Sequence, residues 1–457
     1  MSTQNNERKL PLRVKLGYPL VNVGSTVQML IQMYFLLFFY TNFLGISGTA
    51  AGLIVMIARI WDFINDPIMG ILVEKTKRPA KCLFIMKLAL VPAAIFMVLC
   101  YTAPDLSYNM KIVWAAATFV CFGMAQTAYG IPKETLQPKL TSDKAERSKL
   151  NIYSQVFSTI LNALVPAVTF PLLTVLAGHG GQAAAFSKLA AIYAAVYIIC
   201  GFTGIALCKG YEYDDEAELQ SNSKAKASEL LKALAQNKVA MVVLFMQVIK
   251  MLLSSVGTSV LSYFCIYNLG NGNVMSIASS ISPFTGLIPI FFLVPLYKKF
   301  GNAGTGMLGS AVAVAAYLVM VITHVSSANM YIVLYVIAYA GVCLTSSVIP
   351  LCLMDSIDYG EWKTGKKNIS VLMSAYGIGT KIGLAFGTSV AGFVVGFVKF
   401  DPNAAEQPAN VLNAFFHLSV TSQLLVYAAV FLLMLYLRKI EKKLPELREE
   451  VAARKLS

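Results

Sequence analysis

Two aspartates one helical turn apart in an otherwise apolar run are the chemical feature around which this chain is organised. Residues 59–81 read R-I-W-D-F-I-N-D-P-I-M-G-I-L-V-E-K-T-K-R-P-A-K, so Arg59, Asp62, Asn65 and Asp66 interrupt a long hydrophobic stretch. An ionisable group at membrane depth costs a few kcal/mol even on lenient insertion scales, and it marks a functional site by default. On a helix, residues three or four apart share a face, with Cβ atoms about 5–6 Å apart. Asp62, Asn65 and Asp66 therefore point the same way, with Arg59 one turn before Asp62. Two carboxylates that close repel unless positive charge lies between them. Three species would serve: a small hard cation such as Na⁺ or Li⁺, a shared proton, or Arg59 itself in a structural ion pair.

Other charges lie equally deep. Lys381 sits in the middle of S-A-Y-G-I-G-T-K-I-G-L-A-F-G, too far from either end to snorkel easily. Its ammonium offers three donors, to substrate hydroxyls or to a carboxylate; a plain counter-ion to Asp62 or Asp66 is the bland alternative. Lys250, in V-I-K-M-L-L, either snorkels or pairs across a helix bundle. Lys133 and Glu134, in Y-G-I-P-K-E-T, read as a solvated pair near a helix end or as part of a binding cavity.

The elements that must position these groups are membrane helices. The chain is 57 % hydrophobic and 13 % charged, against about 25 % charged in soluble domains, and its mean hydropathy is +0.65. A span needs about 20 apolar residues. Twelve runs qualify: 16–44, 49–74, 82–103, 110–137, 149–178, 184–208, 239–269, 272–297, 302–325, 328–354, 368–399 and 408–438. Pro19, Pro67, Pro132, Pro171 and Pro350 are candidate kinks within them. Loops 45–48 and 323–328 carry no Lys or Arg. The alternate loops are basic, with Lys75, Lys77, Arg78 and Lys81, then Lys139, Lys144, Arg147 and Lys149, then Lys298 and Lys299, then Lys363, Lys366 and Lys367. This alternation predicts both termini in the cytoplasm. The formal charge of +14 thus sets orientation and meets anionic lipid rather than nucleic acid.

The polar stretch 209–238, expected to be partly helical near 229–236, divides the chain into residues 1–208 and 239–438, with a tail at 439–457. G-I-L-V-E-K-T-K-R after the second run weakly echoes F-L-V-P-L-Y-K-K-F-G after the eighth, a sign of paired halves. Met1–Lys15 is polar and basic and predicts no cleaved leader. The eight cysteines form no C-x-x-C pair and read as reduced, buried residues, and the three histidines form no metal signature. No P-loop, dinucleotide fingerprint or nucleophile elbow is present, which argues against an enzyme or ATP-driven pump and for no cofactor.

The motif R-x-W-D-x-I-N-D-P-x-M-G resembles that of the glycoside–pentoside–hexuronide:cation symporters, the melibiose-permease-like branch of the major facilitator superfamily. Y-T-N-F-L-G-I-S at 40–47 and D-S-I-D-Y-G-E-W-K-T-G at 355–365 agree with it. The resemblance implies an all-α membrane protein of twelve transmembrane helices in two six-helix halves. It assigns the coupling cation to Asp62, Asn65, Asp66 and Thr127, and puts Lys381 near substrate and cation. Thr127 has a bland alternative in a bond to its own helix backbone. Thr26, Gln126, Gly130, Gln155, Tyr376 and Lys381 are the implied substrate contacts, and Arg59, Glu74, Lys75, Asp355, Asp358 and Glu361 the implied gating residues. Asp355, Asp358 and Glu361 are expected to pair with basic residues of the facing half.

The pattern also departs from the melibiose permeases. Thr26 and Gly130 stand where those carry aspartates, Glu134 where they carry a tryptophan, and Gln155 where they carry an arginine. The sugar clamp is replaced while the cation residues are kept, so α-galactoside specificity does not follow. Lys133 with Lys381 would suit an anionic sugar such as a hexuronide. The expected function is symport of a sugar, glycoside or hexuronide with Na⁺, Li⁺ or H⁺, by a monomeric carrier alternating its access across a bacterial inner membrane. A carrier of another substrate, such as a lysolipid, is the first rival. A sensor is the second, but it would need a larger soluble domain.

Overall fold

The computed structural model describes residues 9–76, 78–141, 143–179, 181–213, 237–364, 369–404 and 406–456. The described residues are helical, with short loops and no strand. In chain order the helices are α1 (Leu12–Leu44), α2 (Gly48–Lys75), α3 (Lys81–Cys100), α4 (Tyr108–Leu140), α5 (Lys144–Leu176) and α6 (Gly181–Cys208). There follow α7 (Lys238–Asn268), α8 (Asn273–Phe291), α9 (Leu293–Ile322), α10 (Ala328–Thr364), α11 (Ile369–Phe397), α12 (Ala409–Glu441) and α13 (Leu444–Leu456). Among the described residues, 11 helices are long and apolar enough to cross a membrane. The expected crossing at 272–297 is the exception: α8 is helical for 19 residues but is not among the eleven. The chain is a multi-pass membrane protein. The expected helix near 229–236 lies outside the described residues, as do Lys77, Lys366 and Lys367.

The chain forms two compact units, residues 1–216 with 392–411, and residues 217–391 with 412–457. Each carries the same devices. In the first, α1 ends in a π-helical turn, Tyr40–Leu44, closed by left-handed Gly45. In the second, α7 ends in a π-helical turn, Phe264–Asn268, two residues before left-handed Gly270. The sequences Y-T-N-F-L-G and C-I-Y-N-L-G underlie these matching ends. A glutamate caps a neighbouring helix in both units. Glu212, past the end of α6, accepts the Cys82 and Leu83 amides of α3 at 2.8 and 3.0 Å. Glu441, the last residue of α12, accepts the amides of Asn302 and Ala303 in α9. The first amides of a helix lack intrahelical partners, and a carboxylate there also meets the positive end of the helix dipole.

Gly301 makes the second cap possible. Its φ of 77° breaks α9 just after the basic pair Lys298 and Lys299, a conformation open to glycine at no steric cost. The expected loop at 298–301 shrinks to this one residue, with Lys298 and Lys299 helical, and the expected helix end at 297 lies five residues after the one-residue turn at Phe292 that separates α8 from α9. All five expected kink prolines lie inside continuous helices.

The N-terminal segment is tied down by Glu146. This buried carboxylate accepts Lys149 Nζ at 2.7 Å, Lys15 Nζ at 2.8 Å and the Leu10 amide at 3.1 Å. Its bonds to Lys149 and then Lys15 lower its pKa from the ordinary 4.5 to about 2. A depressed carboxylate stabilises the fold fully above its ordinary value, and that contribution is lost as pH falls through the folded value. Glu146→Gln is expected to loosen residues 9–15, with trypsin cleavage at Lys9 and Arg13 accelerated about fivefold, for about 1 kcal/mol. Limited proteolysis at neutral pH checks this. An unchanged cleavage rate would mean the anchor contributes nothing.

At the other terminus α13 docks on the end of α10. Arg448 pairs with Asp358 at 2.7 Å and Asp355 at 3.5 Å, Trp362 Nε1 donates to Glu450 at 2.7 Å, and Arg454 donates to the Trp362 carbonyl at 3.0 Å. Asp355 and Asp358 thus meet a base from the tail of their own unit, because α13 folds back along α10 and brings Arg448 there.

Candidate functional site

The two aspartates are set by the pitch of α2 against α4. Ile57, Ile60, Ile64, Ile68 and Ile71 are exposed at three- and four-residue spacing, an apolar stripe suited to lipid. Asp62 and Asp66 fall two residues out of phase with Ile60 and Ile64, on the other side of the helix. There they meet two residues of α4 that are also one turn apart. Thr127 Oγ1 donates to Asp66 Oδ1 at 3.0 Å. Asp62 Oδ1 lies 2.9 Å from where a Cβ on Gly123 would stand. The pairs form a ladder, Asp62 opposite Gly123 and Asp66 opposite Thr127.

Arg59 closes one end of this ladder. Nη1 donates to Asp62 Oδ2 at 3.2 Å, and Nη2 donates to Gln32 Oε1 of α1 at 3.3 Å. The guanidinium carbon lies 5.8 Å from the Phe119 ring centroid on α4, within cation–π reach. Arg59 thus pairs with Asp62, and the Thr127 hydroxyl donates to Asp66. Thr127 does not follow its neighbours. Thr118 and Thr135, on the same helix, turn their hydroxyls back to carbonyls one turn earlier, whereas the Thr127 bond crosses to α2. Asn65 is buried at 7 % exposure, and its Nδ2 has no partner among the described residues.

Gly123 is the residue that sequence reasoning missed. Its signal was available, since it lies one turn from Thr127 as Asp62 lies one turn from Asp66. A missing side chain carries no chemistry of its own, however, and only the helix pairing reveals what its absence makes room for.

The remaining candidates are distributed over both units. Thr26 Oγ1 bonds back to the Asn22 carbonyl at 3.1 Å, the backbone-directed role common for threonine in helices. Asn22 in turn reaches Ser154 of α5 at 3.4 Å. Gln126 is half-buried and Gln155 exposed. A Cβ on Gly130 would meet nothing within 4 Å, so open space lies beside it. Lys133 is half-buried and Glu134 exposed near the end of α4. In the second unit, Gly379, Gly383 and Gly387 lay one face of α11 on α7, where a Cβ on Gly383 would come within 2.6 Å of Met251 Cβ. Lys381 is two residues out of phase with these glycines and is exposed. Tyr376 is half-buried one turn before Thr380, which accepts from Gln247 at 2.9 Å. Lys75 is exposed in the last turn of α2, Glu361 is buried, and the Glu74 side chain lies outside what is described.

Two oxygens from carboxylates and one from a hydroxyl, on a ladder with a vacant-side glycine, make a set suited to a monovalent cation or proton. Among the described residues no cluster of three or more His, Cys, Asp or Glu converges as a transition-metal site would require. Removing the Thr127 hydroxyl should show which role it has. Thr127→Val is expected to weaken apparent cation affinity about tenfold, or about 1.4 kcal/mol, while Thr127→Ser keeps it within a factor of about 2. Cation-dependence curves of uptake would measure both, and equal behaviour of the two variants would remove the hydroxyl from the site.

Comparisons with known proteins agree on the class. Residues 17–442 match the profile of a family described as MFS/sugar transport protein. An isoprimeverose transporter of Lactiplantibacillus pentosus is 27 % identical over 417 residues, covering 90 % of this chain and 85 % of the relative. An inner membrane symporter of Escherichia coli strain K12 is 25 % identical over 403 residues, covering 88 % and 85 %. Among solved structures, a bacterial homologue of the human lysosomal transporter Spinster superposes with a TM-score of 0.65 at 13 % identity, over 96 % of this chain and 97 % of that one. At that identity the likeness is one of fold.

Proposed function

The chain belongs to the MFS/sugar transport protein family and is a transporter rather than an enzyme, and from that premise we propose that it carries a sugar, glycoside or hexuronide inward together with a monovalent cation. The observation that carries this reading is the ladder of Asp62 and Asp66 against Gly123 and Thr127. Two carboxylates one turn apart inside apolar helices are costly, and a bound cation would offset that cost. The names of the relatives support the cargo: one carries isoprimeverose and another is a symporter.

Asp66, with Thr127 beside it, is the primary cation ligand. Asp62, shared with Arg59, is the second, and Asn65 adds a neutral oxygen from the same face. Cation at this site raises substrate affinity, and substrate raises cation affinity by the same factor. A monovalent cation moving inward down about 100 mV supplies about 2.3 kcal/mol. Thr26, Gln126, Gly130 and Gln155 are the substrate contacts of the first unit, and Tyr376 and Lys381 those of the second. Glu74, Lys75, Asp355, Asp358 and Glu361 serve the inner gate, with Arg448 regulating access to the two aspartates. The chain acts as a monomer of two six-helix halves, 1–208 and 239–438, twelve crossings in all, joined by 209–238 and followed by the tail 439–457. Both termini lie in the cytoplasm of a bacterium, beneath its inner membrane.

Uptake of radiolabelled glycosides, pentosides and hexuronides into inverted and right-side-out vesicles, with Na⁺, Li⁺ or pH gradients, tests the reading. Gradient-stimulated uptake of at least one sugar is expected. No uptake of any sugar under any gradient would overturn the substrate class.

A further inference from the structure

Lys250 is a buried lysine that the cation site does not use. It lies midway along the membrane helix α7, at 4 % exposure. Its Nζ donates to Ser346 Oγ of α10 at 3.1 Å. Among the described residues no carboxylate meets it, and the titratable group beside it is the Cys343 thiol of α10. Tyr339, one turn earlier on α10, lies on the same side as Cys343, and a Cβ on Gly286 of α8 would press on the Cys343 sulfur at 2.5 Å and on the Tyr339 ring at 3.2 Å. From α12, Tyr427 reaches Ser254 of α7 and stacks on Tyr317 of α9. From α11 the contact is neutral, Gln247 to Thr380; the nearest charge in sequence there is Lys381. Among the described residues, the groups named beside Lys250 on α8, α10, α11 and α12 are therefore hydroxyls, a thiol and amides.

An ammonium needs acceptors for three N–H groups, and a charge at membrane depth is costly unless compensated. One hydroxyl does not compensate it. The cost is avoided in two ways, by an anion entering beside the lysine or by loss of the proton to water. An anion needs room, and Lys250 is close-packed; a proton needs none. We propose that Lys250 is a proton-titrating site of the carrier, separate from Asp62 and Asp66, which takes a proton from water when α7 and α10 part and returns it to water when they pack as here. The site adds a proton to whatever cation the aspartates carry. It rests on the reading of the chain as a cation-coupled carrier.

The test uses wild type, Lys250→Met, Lys250→Arg and Ser346→Ala in proteoliposomes, with the radiolabelled sugar taken up best in the vesicle panel. Under a gradient of about one pH unit, one proton multiplies accumulation by about ten. Wild type is expected to accumulate about tenfold more than Lys250→Met or Lys250→Arg, while gradient-free exchange stays within a factor of about 2. Ser346→Ala, which keeps the lysine but removes its acceptor, is expected to displace the pH profile of net uptake. Equal pH-driven accumulation in Lys250→Met and wild type would overturn the proposal, as would full rescue by Lys250→Arg, whose charge is fixed. A substrate-free arm separates the two readings. Thermal midpoints of wild type and Lys250→Met between about pH 6 and about pH 10 diverge with pH if the lysine titrates in the folded protein, and run parallel if it does not. Absence of exchange in wild type would then sink the sugar reading alone, and parallel midpoints would sink Lys250 alone.

Discussion

Asp66→Asn is expected to abolish cation-driven accumulation of substrate while leaving gradient-free exchange measurable. Asparagine keeps the shape and one oxygen for the Thr127 hydroxyl, which bonds Asp66 Oδ1 at 3.0 Å, but removes the charge that attracts a cation. The expected loss of apparent cation affinity is at least about 100-fold, or about 2.7 kcal/mol. Asp62→Asn should act differently. It leaves Arg59, now bonded to Asp62 at 3.2 Å and to Gln32 at 3.3 Å, as an uncompensated cation beside the site. Its defect should therefore include a loss of folding stability, since stranding Arg59, one member of a partly buried pair, is itself costly. Initial uptake rates, counterflow and thermal midpoints of the two variants measure the difference. If Asp66→Asn accumulates substrate normally under every gradient, the coupling site lies elsewhere.

A graded loss is expected along the series Gly123→Ala, Gly123→Val and Gly123→Leu. A methyl at this position would sit 2.9 Å from Asp62 Oδ1, closer than a carbon and oxygen tolerate, so alanine must displace the carboxylate by a few tenths of an ångström. About tenfold weaker cation affinity is expected for alanine, the equivalent of about 1.4 kcal/mol. Valine and leucine add about 1–3 kcal/mol of overpacking and should eliminate coupling. The loss should follow side-chain volume and appear in cation dependence before protein yield. A flat series, with leucine coupling as well as glycine, would show that α4 does not press on Asp62 and that the ladder is not the site.

The contrast between Asp62 and Gly123 shows how far the sequence could be read. Charges inside an apolar run are costly, so Asp62, Asp66 and Lys381 stood out without any structure. The turn spacing on α2 alone put both carboxylates on one face. The partners were harder. Thr127 was available only through family resemblance, because a threonine in a helix ordinarily bonds its own backbone, as Thr118 and Thr135 do. Arg59 could have served either aspartate, and only the placement of Gln32 and Phe119 draws it to Asp62. Long-range caps escaped for the same reason. Glu212 falls in the polar stretch 209–238 and Glu441 in the tail 439–457, and their targets lie more than a hundred residues away. The tail residue Arg448 reaches Asp355 and Asp358 because α13 folds back, which no local pattern encodes. Hydrophobic length located most helices to within a few residues, and it erred between α8 and α9, where a one-residue turn at Phe292 separates two helices inside a continuous apolar run.

The central claim, that Asp62 and Asp66 bind a monovalent cation, is tested most directly by the thermal midpoint of the purified protein in rising NaCl, LiCl and choline chloride at matched ionic strength, repeated across pH. A ligand at about 100 times its Kd stabilises the folded state by about 2.7 kcal/mol. Wild type is expected to gain stability with Na⁺ or Li⁺ over choline or, for a proton site, to show a pH dependence that Asp66→Asn removes. Identical midpoints in all three salts, together with superimposable pH profiles for wild type and Asp66→Asn, would contradict it.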